Sequence, residues 1–141
     1  MAATRTANTH WEGALLDGSG RVSLDSSGIG TYDVSWPART EKPNGKTSPE
    51  ELIAAAHSSC YSMALSHTLA QAGTPPETVD TRADVTFQPG EGITGSHLTV
   101  RARVPGMSAE DFQRAAESAK TGCPVSQALT GTKITLDAEL A

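Results

Sequence analysis

The sequence predicts an α+β fold built on mainly antiparallel sheets. Three observations lead there. The first third of the chain reads as consecutive strands, with no helix between them. One long helical stretch without a charge follows, and the remainder alternates strand-like segments with a pair of shorter helices. Strands grouped in this way, instead of being interleaved one by one with helices, argue against a doubly wound parallel sheet. The 141 residues fit one domain spanning 1–141, because domains cluster at roughly 100–150 residues. A chain of that length buries about two thirds of its unfolded surface and needs no staples.

Each element has its own signal. His10-Trp11-Glu12-Gly13-Ala14-Leu15-Leu16 and Arg21-Val22-Ser23-Leu24 read as strands, and Asp17-Gly18-Ser19-Gly20 between them is turn chemistry that predicts a hairpin. Gly28-Ile29-Gly30 precedes a third strand over Thr31–Trp36. Pro37 through Lys46, with two prolines and a glycine, reads as a loop, and Arg39 lies in it. Ser48 then suits an N-cap, Pro49 the first helical position and Glu51 the third position of a capping box. The helix should run from Pro49 to Ala72, with Gly73 as terminator and Pro75-Pro76 beyond. No charge occurs between Glu51 and Glu77, so the helix is apolar or small nearly all round and is expected to be buried. Its many Ala and Ser residues would let a neighbouring helix approach closely.

Thr81–Phe87 reads as a strand. Leu98, Val100, Ala102 and Val104 alternate with Thr99, Arg101 and Arg103, the pattern of a half-buried one. Ser108 and Asp111 open a second helix with Phe112, Ala115, Ala116 and Ala119 on its apolar side, and Gly122 closes it. Pro124 begins a short third helix to Leu129, and Ile134, Leu136, Ala138 and Leu140 mark the last strand.

Composition excludes several function classes. Lys+Arg is 11 against Asp+Glu 16, for a net charge of -5, and no basic run exists, so phosphate neutralisation and nucleic-acid binding are excluded. No stretch of about 18 apolar residues occurs, so no membrane span is expected. The opening MAATRTANTH lacks the apolar core of a secretory leader, which favours a cytoplasmic protein. Aromatics are only 4%, so the core must be built from Ala, Val, Leu and Ile, with room for a partner chain to complete it. Two cysteines are too few for a disulfide scaffold, and in a reducing compartment such a pair reads as catalytic or metal-binding.

Taken alone, Cys60 lies mid-helix in an apolar stretch and reads as a small buried hydrophobe. Cys123 differs. In Gly122-Cys123-Pro124 it sits at the cap of a helix, where peptide dipoles favour a thiolate, although packing would also account for it. The two are far apart in sequence, so there is no CxxC pattern, and His10, His57, His67 and His97 carry no zinc spacing. Arg39 reads by default as a solvated loop residue, and Glu50 and Glu51 as first-turn acids. His57, one turn before Tyr61 on a buried helix, reads as a satisfied core or interface histidine rather than a base. Gly28-Ile29-Gly30 is too short for a dinucleotide fingerprint, and no GxxxxGK or GxSxG motif occurs.

The stretch from Thr47-Ser48-Pro49-Glu50-Glu51-Leu52 through Ala55-Ala56-His57-Ser58-Ser59-Cys60-Tyr61-Ser62-Met63 closely resembles the central helix of the OsmC/Ohr family of organic hydroperoxide reductases. Gly122-Cys123-Pro124-Val125-Ser126-Gln127 resembles its second cysteine motif. The likeness extends to the opening His10-Trp11-Glu12-Gly13 and the closing Ile134-Thr135-Leu136-Asp137, and it favours the OsmC branch. The resemblance implies an intertwined homodimer in which sheets wrap two long central helices, with active sites at the subunit interface. It implies Cys60 as peroxidatic thiol, Cys123 as resolving thiol, and Arg39 with Glu50 as the polar pair holding the thiolate. It further implies an organic hydroperoxide substrate, an external dithiol reductant (a lipoyl protein or a thioredoxin-like one), and neither metal nor bound cofactor, because sulfur carries the electrons.

Physical chemistry constrains that expectation. Low dielectric raises a thiol's pKa, and a nearby guanidinium lowers it. Arginine stays charged when desolvated, and a carboxylate such as Glu50 would partly neutralise it. Glu50 and Cys60 are ten positions apart on one predicted helix, about 15 Å of rise. An antiparallel second copy could bring its helix start to the middle of the first. The alternative reading is a stress-related ligand-binding or redox-sensing dimer without turnover.

Overall fold

Asp17 and Gly18 do mark the first chain reversal. In a computed structural model that describes all 141 residues, β1 (Asn8–Glu12) pairs antiparallel with β2 (Ser19–Ser23), and Trp11 lies opposite Gly20. A Cβ at Gly20 would come within 2.6 Å of the Trp11 ring, so the indole lies over bare backbone. Leu15 and Leu16, expected in the first strand, fall in the connection instead. Gly13 (φ +88) ends the strand early by turning the chain into a conformation only glycine adopts cheaply. β3 (Thr31–Val34) completes a three-stranded antiparallel sheet in the order β1-β2-β3.

The chain divides into two compact units, Met1–Leu52 and Ile53–Ala141. In the first, the expected loop after β3 contains a short helix, α1 (Trp36–Thr40), and Trp36 belongs to it and not to the strand. Ser35 caps it, its hydroxyl accepting from the Ala38 N–H at 3.2 Å, and Pro37 occupies the first turn, where its missing N–H costs nothing. The proline that argued for a loop is therefore a helix-start signal. Thr47 returns the chain to the sheet: its N–H donates to the Asp33 carbonyl at 2.9 Å in a parallel bridge beside Val34.

The helix α2 (Pro49–Gln71) begins at the Ser48 cap, whose hydroxyl accepts from the Glu51 N–H at 3.1 Å. The reciprocal half of the capping box is not made. Glu51 instead accepts from the Thr47 hydroxyl at 2.5 Å. Its far end closes as a Schellman motif: the Gly73 N–H reaches the Ala70 carbonyl and the Thr74 N–H the Leu69 carbonyl, both at 3.0 Å, with Gly73 at φ +84. The serines of α2 turn their hydroxyls back onto the helix, as with Ser59 to the Ala55 carbonyl and Ser62 to the Ser58 carbonyl, both at 2.8 Å.

The second unit is built on β4 (Thr78–Gln88), β5 (Gly92–Arg103) and β6 (Lys133–Leu140), in that order across one sheet. β4 and β5 form an antiparallel hairpin, whereas β6 runs parallel to β5. A parallel neighbour needs a crossover, and α3 (Ala109–Gly122) with α4 (Pro124–Ala128) supplies it. The Ser108 hydroxyl caps α3 by accepting from the Asp111 N–H, and Phe112, Ala115, Ala116 and Ala119 are its buried face. Phe112, Ala115 and Ala119 pack in one cluster with Leu98, Val100 and Ala102 of β5 and with Tyr61, Leu65 and Leu69 of α2.

The expectation of a helix buried on every side is not met within one chain. His57, Tyr61, Leu65 and Leu69 repeat every four residues and are fully buried. Ala55, Ala56, Ser59, Met63 and Ala70 are exposed, Met63 at 72%. No helix is long and apolar enough to cross a membrane.

Candidate active site

The four candidate residues fall into two pairs, one in each unit. In the first unit α1 places Arg39 in its last turn and α2 places Glu50 in its first, while the Thr47 bridge holds the two helix ends beside β3. The guanidinium donates to the carboxylate three times: Nε to Oε1 at 3.0 Å, Nε to Oε2 at 3.1 Å and Nη2 to Oε2 at 2.8 Å. The Glu50 side chain is 9% exposed and that of Arg39 26%. A charged pair this far out of water persists because each side chain satisfies the other. Arg39 is therefore not a solvated loop residue, and Glu50 is more than a dipole-favoured acid.

The Arg39 guanidinium also lies 5.9 Å from the centre of the Trp36 ring, within cation–π range. Trp11, Leu15, Val34, Trp36 and Leu52 line with Arg39 an open, largely apolar cavity of about 390 Å³. The sequence had left both tryptophans as strand residues. The available signal was their spacing from Gly20 and Arg39, which acquires meaning only once the strands are paired.

In the second unit Cys60 of α2 and Cys123, the residue between α3 and α4, are brought together. Both are free thiols, Cys60 half-buried and Cys123 fully buried. They pack in one apolar cluster with Val125, near enough for Cys123 to act on the charge state of Cys60. Cys123 occupies the N-cap position of α4, but its side chain makes no capping bond. The amide freed at that helix start, Val125 N–H, donates to Cys60 instead. Thus the helix end that sequence assigned to Cys123 serves Cys60.

Burial pushes the Cys60 thiol up, the Val125 amide lowers it, and the hydrogen bond and charge of Cys123 raise it further. The net direction is upward. Within its own unit, then, the thiol is held next to its partner sulfur but kept protonated.

His57 is fully buried, and both ring nitrogens are satisfied: Nδ1 by the Ser96 hydroxyl at 2.7 Å and Nε2 by the Ser126 hydroxyl at 2.8 Å. It is the satisfied core histidine the sequence suggested. Burial lowers its pKa, so it is neutral near pH 7.

Comparison with known proteins identifies the family of the chain. The OsmC-like protein family model matches residues 42–138. The chain is 42% identical over 143 residues to the peroxiredoxin OsmC of Escherichia coli K12, covering 99% of both. Among solved structures, an organic hydroperoxide resistance protein OsmC from Legionella pneumophila superposes with a TM-score of 0.70 at 22% identity, covering 100% of this chain and 98% of that one. An organic hydroperoxide resistance protein from Elizabethkingia anophelis does so with a TM-score of 0.64 at 25% identity, covering 100% and 99%. A family match over more than half of the residues, joined to that full-length identity, means that this chain belongs to the OsmC-like protein family.

Proposed function

We propose that the chain is a thiol-dependent peroxidase that reduces organic hydroperoxides to alcohols. The observation that carries the reading is the contact of two free thiols, Cys60 and Cys123, at an apolar site with one amide directed at the first. The Cys60 thiolate attacks the peroxide oxygen distal to the organic group, the O–O bond breaks, and the alkoxide leaves and takes a proton to become the alcohol. Cys60 is left as a sulfenic acid. The Cys123 thiol condenses with it, forming the disulfide and releasing water. An external dithiol then restores both thiols by exchange and is itself oxidised.

The thiolate needs a cation, because the forces inside its own unit keep Cys60 protonated. We assign that role to Arg39, oriented by Glu50, and assign the pair to a second copy of the chain. On the continuous helix Pro49–Gln71 the ten positions from Glu50 to Cys60 amount to about 15 Å, too far for one straight helix to fold back. A homodimer with antiparallel α2 helices would also cover Met63, 72% exposed on the α2 face that carries Ala55, Ala56 and Ser59. The apolar cavity beside Arg39 would then hold the organic group. In this reading residues 1–141 act as a single domain in the cytoplasm, where a reducing pool keeps both thiols free.

The test is mass spectrometry after one equivalent of cumene hydroperoxide. The expected product is an intrachain Cys60–Cys123 bond, seen as the loss of two hydrogens, and Cys60→Ser should abolish peroxide consumption with the fold intact. Peroxide consumption unchanged by Cys60→Ser sinks the reading. Ligand binding without the mass change would favour a non-turnover sensor.

A further inference from the structure

His57 is a fully buried titratable group that this chemistry does not use. It precedes Cys60 by three positions on α2 and so lies on the same side of the helix. Its Nε2 bonds the hydroxyl of Ser126, and Ser126 directly follows Val125, whose N–H donates to the Cys60 sulfur. Two side chains of α2 therefore hold two successive residues of α4.

That matters because α4 has little else to define it. It is five residues long, its cap residue makes no side-chain capping bond, and Pro124 contributes no N–H. Helices this short do not persist on their own. Ser126 is 4% exposed and Ser96 2%, so the imidazole is bracketed by two dry hydroxyls. A neutral imidazole has one donor and one acceptor. One serine must then donate and the other accept, which fixes the ring between β5 and α4. An apolar side chain at position 57 would fill the space without that directionality.

We propose that His57 is a positioning residue: through Ser126 it clamps the first turn of α4, so that the Val125 amide stays on the Cys60 sulfur and Cys123 stays beside it. Ser96, on β5, anchors the ring through the other nitrogen. The proposal rests on Cys60 being the reactive thiol, but its test requires no turnover.

The test is the pH profile of Cys60 alkylation by iodoacetamide in a Cys123→Ser background. Ser126→Ala should move the profile toward alkaline pH and slow alkylation at pH 7 about threefold, because the thiolate fraction falls with the loss of its amide donor. Ser126→Thr, which keeps a hydroxyl, should restore the profile. Ser96→Ala, equally buried and bonded to the same ring, should move it clearly less, because the bond to α4 remains. A Ser126→Ala profile that coincides with the parent overturns the proposal, and so do equal shifts from both alanine variants, which would mean general loosening of the core. A second measurement needs no variant: native-state amide exchange must find the Val125 N–H protected, and exchange at the rate of an open chain overturns the clamp. The peroxide mass experiment can fail while these succeed, and the reverse, so the two readings are separable.

Discussion

The Arg39 guanidinium and the Glu50 carboxylate are joined side-on by Nε and Nη2, with no bond longer than 3.1 Å, although eleven residues separate them. Two short-range devices create that meeting: the Ser35 cap that starts α1 and the Thr47 bridge that returns the chain to β3. Glu50→Ala should therefore strip a part-buried guanidinium of its carboxylate and cost about 1.5–3 kcal/mol of unfolding free energy. Arg39→Ala should cost a similar amount. The double variant should cost less than the sum, because removing both partners strands neither charge. Arg39→Lys should not rescue, since an ammonium cannot match the two-nitrogen fork. Urea unfolding of the parent and the four variants measures this.

The same pair enters the proposed chemistry by a different route. If the Arg39 cation holds the Cys60 thiolate, Arg39→Ala should lower the rate of Cys60 oxidation by roughly 10²-fold, the usual effect of losing one electrostatic stabiliser. Stopped-flow oxidation by an organic hydroperoxide reads it, and a rate within a factor of two of the parent removes Arg39 from the site.

The adjacent thiols make a prediction about intermediates. Cys123→Ser should still react once with hydroperoxide but stop at the Cys60 sulfenic acid, which dimedone would trap nearly quantitatively. The parent should yield little adduct, because Cys123 packs in the same apolar cluster as Cys60 and intercepts it. Comparable adduct yields from the two proteins would remove Cys123 as the resolving thiol.

Burial of His57 links stability to pH. Its folded pKa lies below the ordinary 6.5, so as pH falls through 6.5 the unfolded chain binds a proton that the folded chain refuses. Stability should therefore decline between pH 6.5 and the lower folded value, and be unaffected by this group above it. His57→Gln removes the titration and should flatten that part of the curve. Denaturant midpoints from pH 7.5 to 5 test it, and an unchanged slope in the variant would assign the acid loss to other groups.

The Schellman closure of α2 requires φ +84 at Gly73, and open space surrounds the site. Gly73→Ala should therefore cost about 1 kcal/mol through backbone strain alone, without any steric clash. A thermal melt would show a drop of a few degrees with activity preserved.

Elements whose cause is local were legible in the chain itself. The cap of α2 at Ser48, its stop at Gly73, the buried face of α3 and the alternation of β5 and β6 follow from spacings within a turn or a pleat, and each was found where expected. α1 was hidden because Pro37 serves a helix start as readily as a loop, and five residues carry no periodicity. The direction of β6 was hidden because alternation states which face is buried but not which way the neighbour runs.

Residue types and order determined that this chain carries two cysteines, an arginine in the segment just before the long helix and two carboxylates at its start. Tertiary structure alone decided how they pair: Arg39 onto Glu50, Cys60 against Cys123, and the α4 amide onto Cys60 rather than onto the cysteine that caps the helix. The physical reason is that a hydrogen bond or a pKa shift depends on distance and burial, and residues 60 and 123 acquire both only when the apolar faces of α2, α3 and β5 close over them.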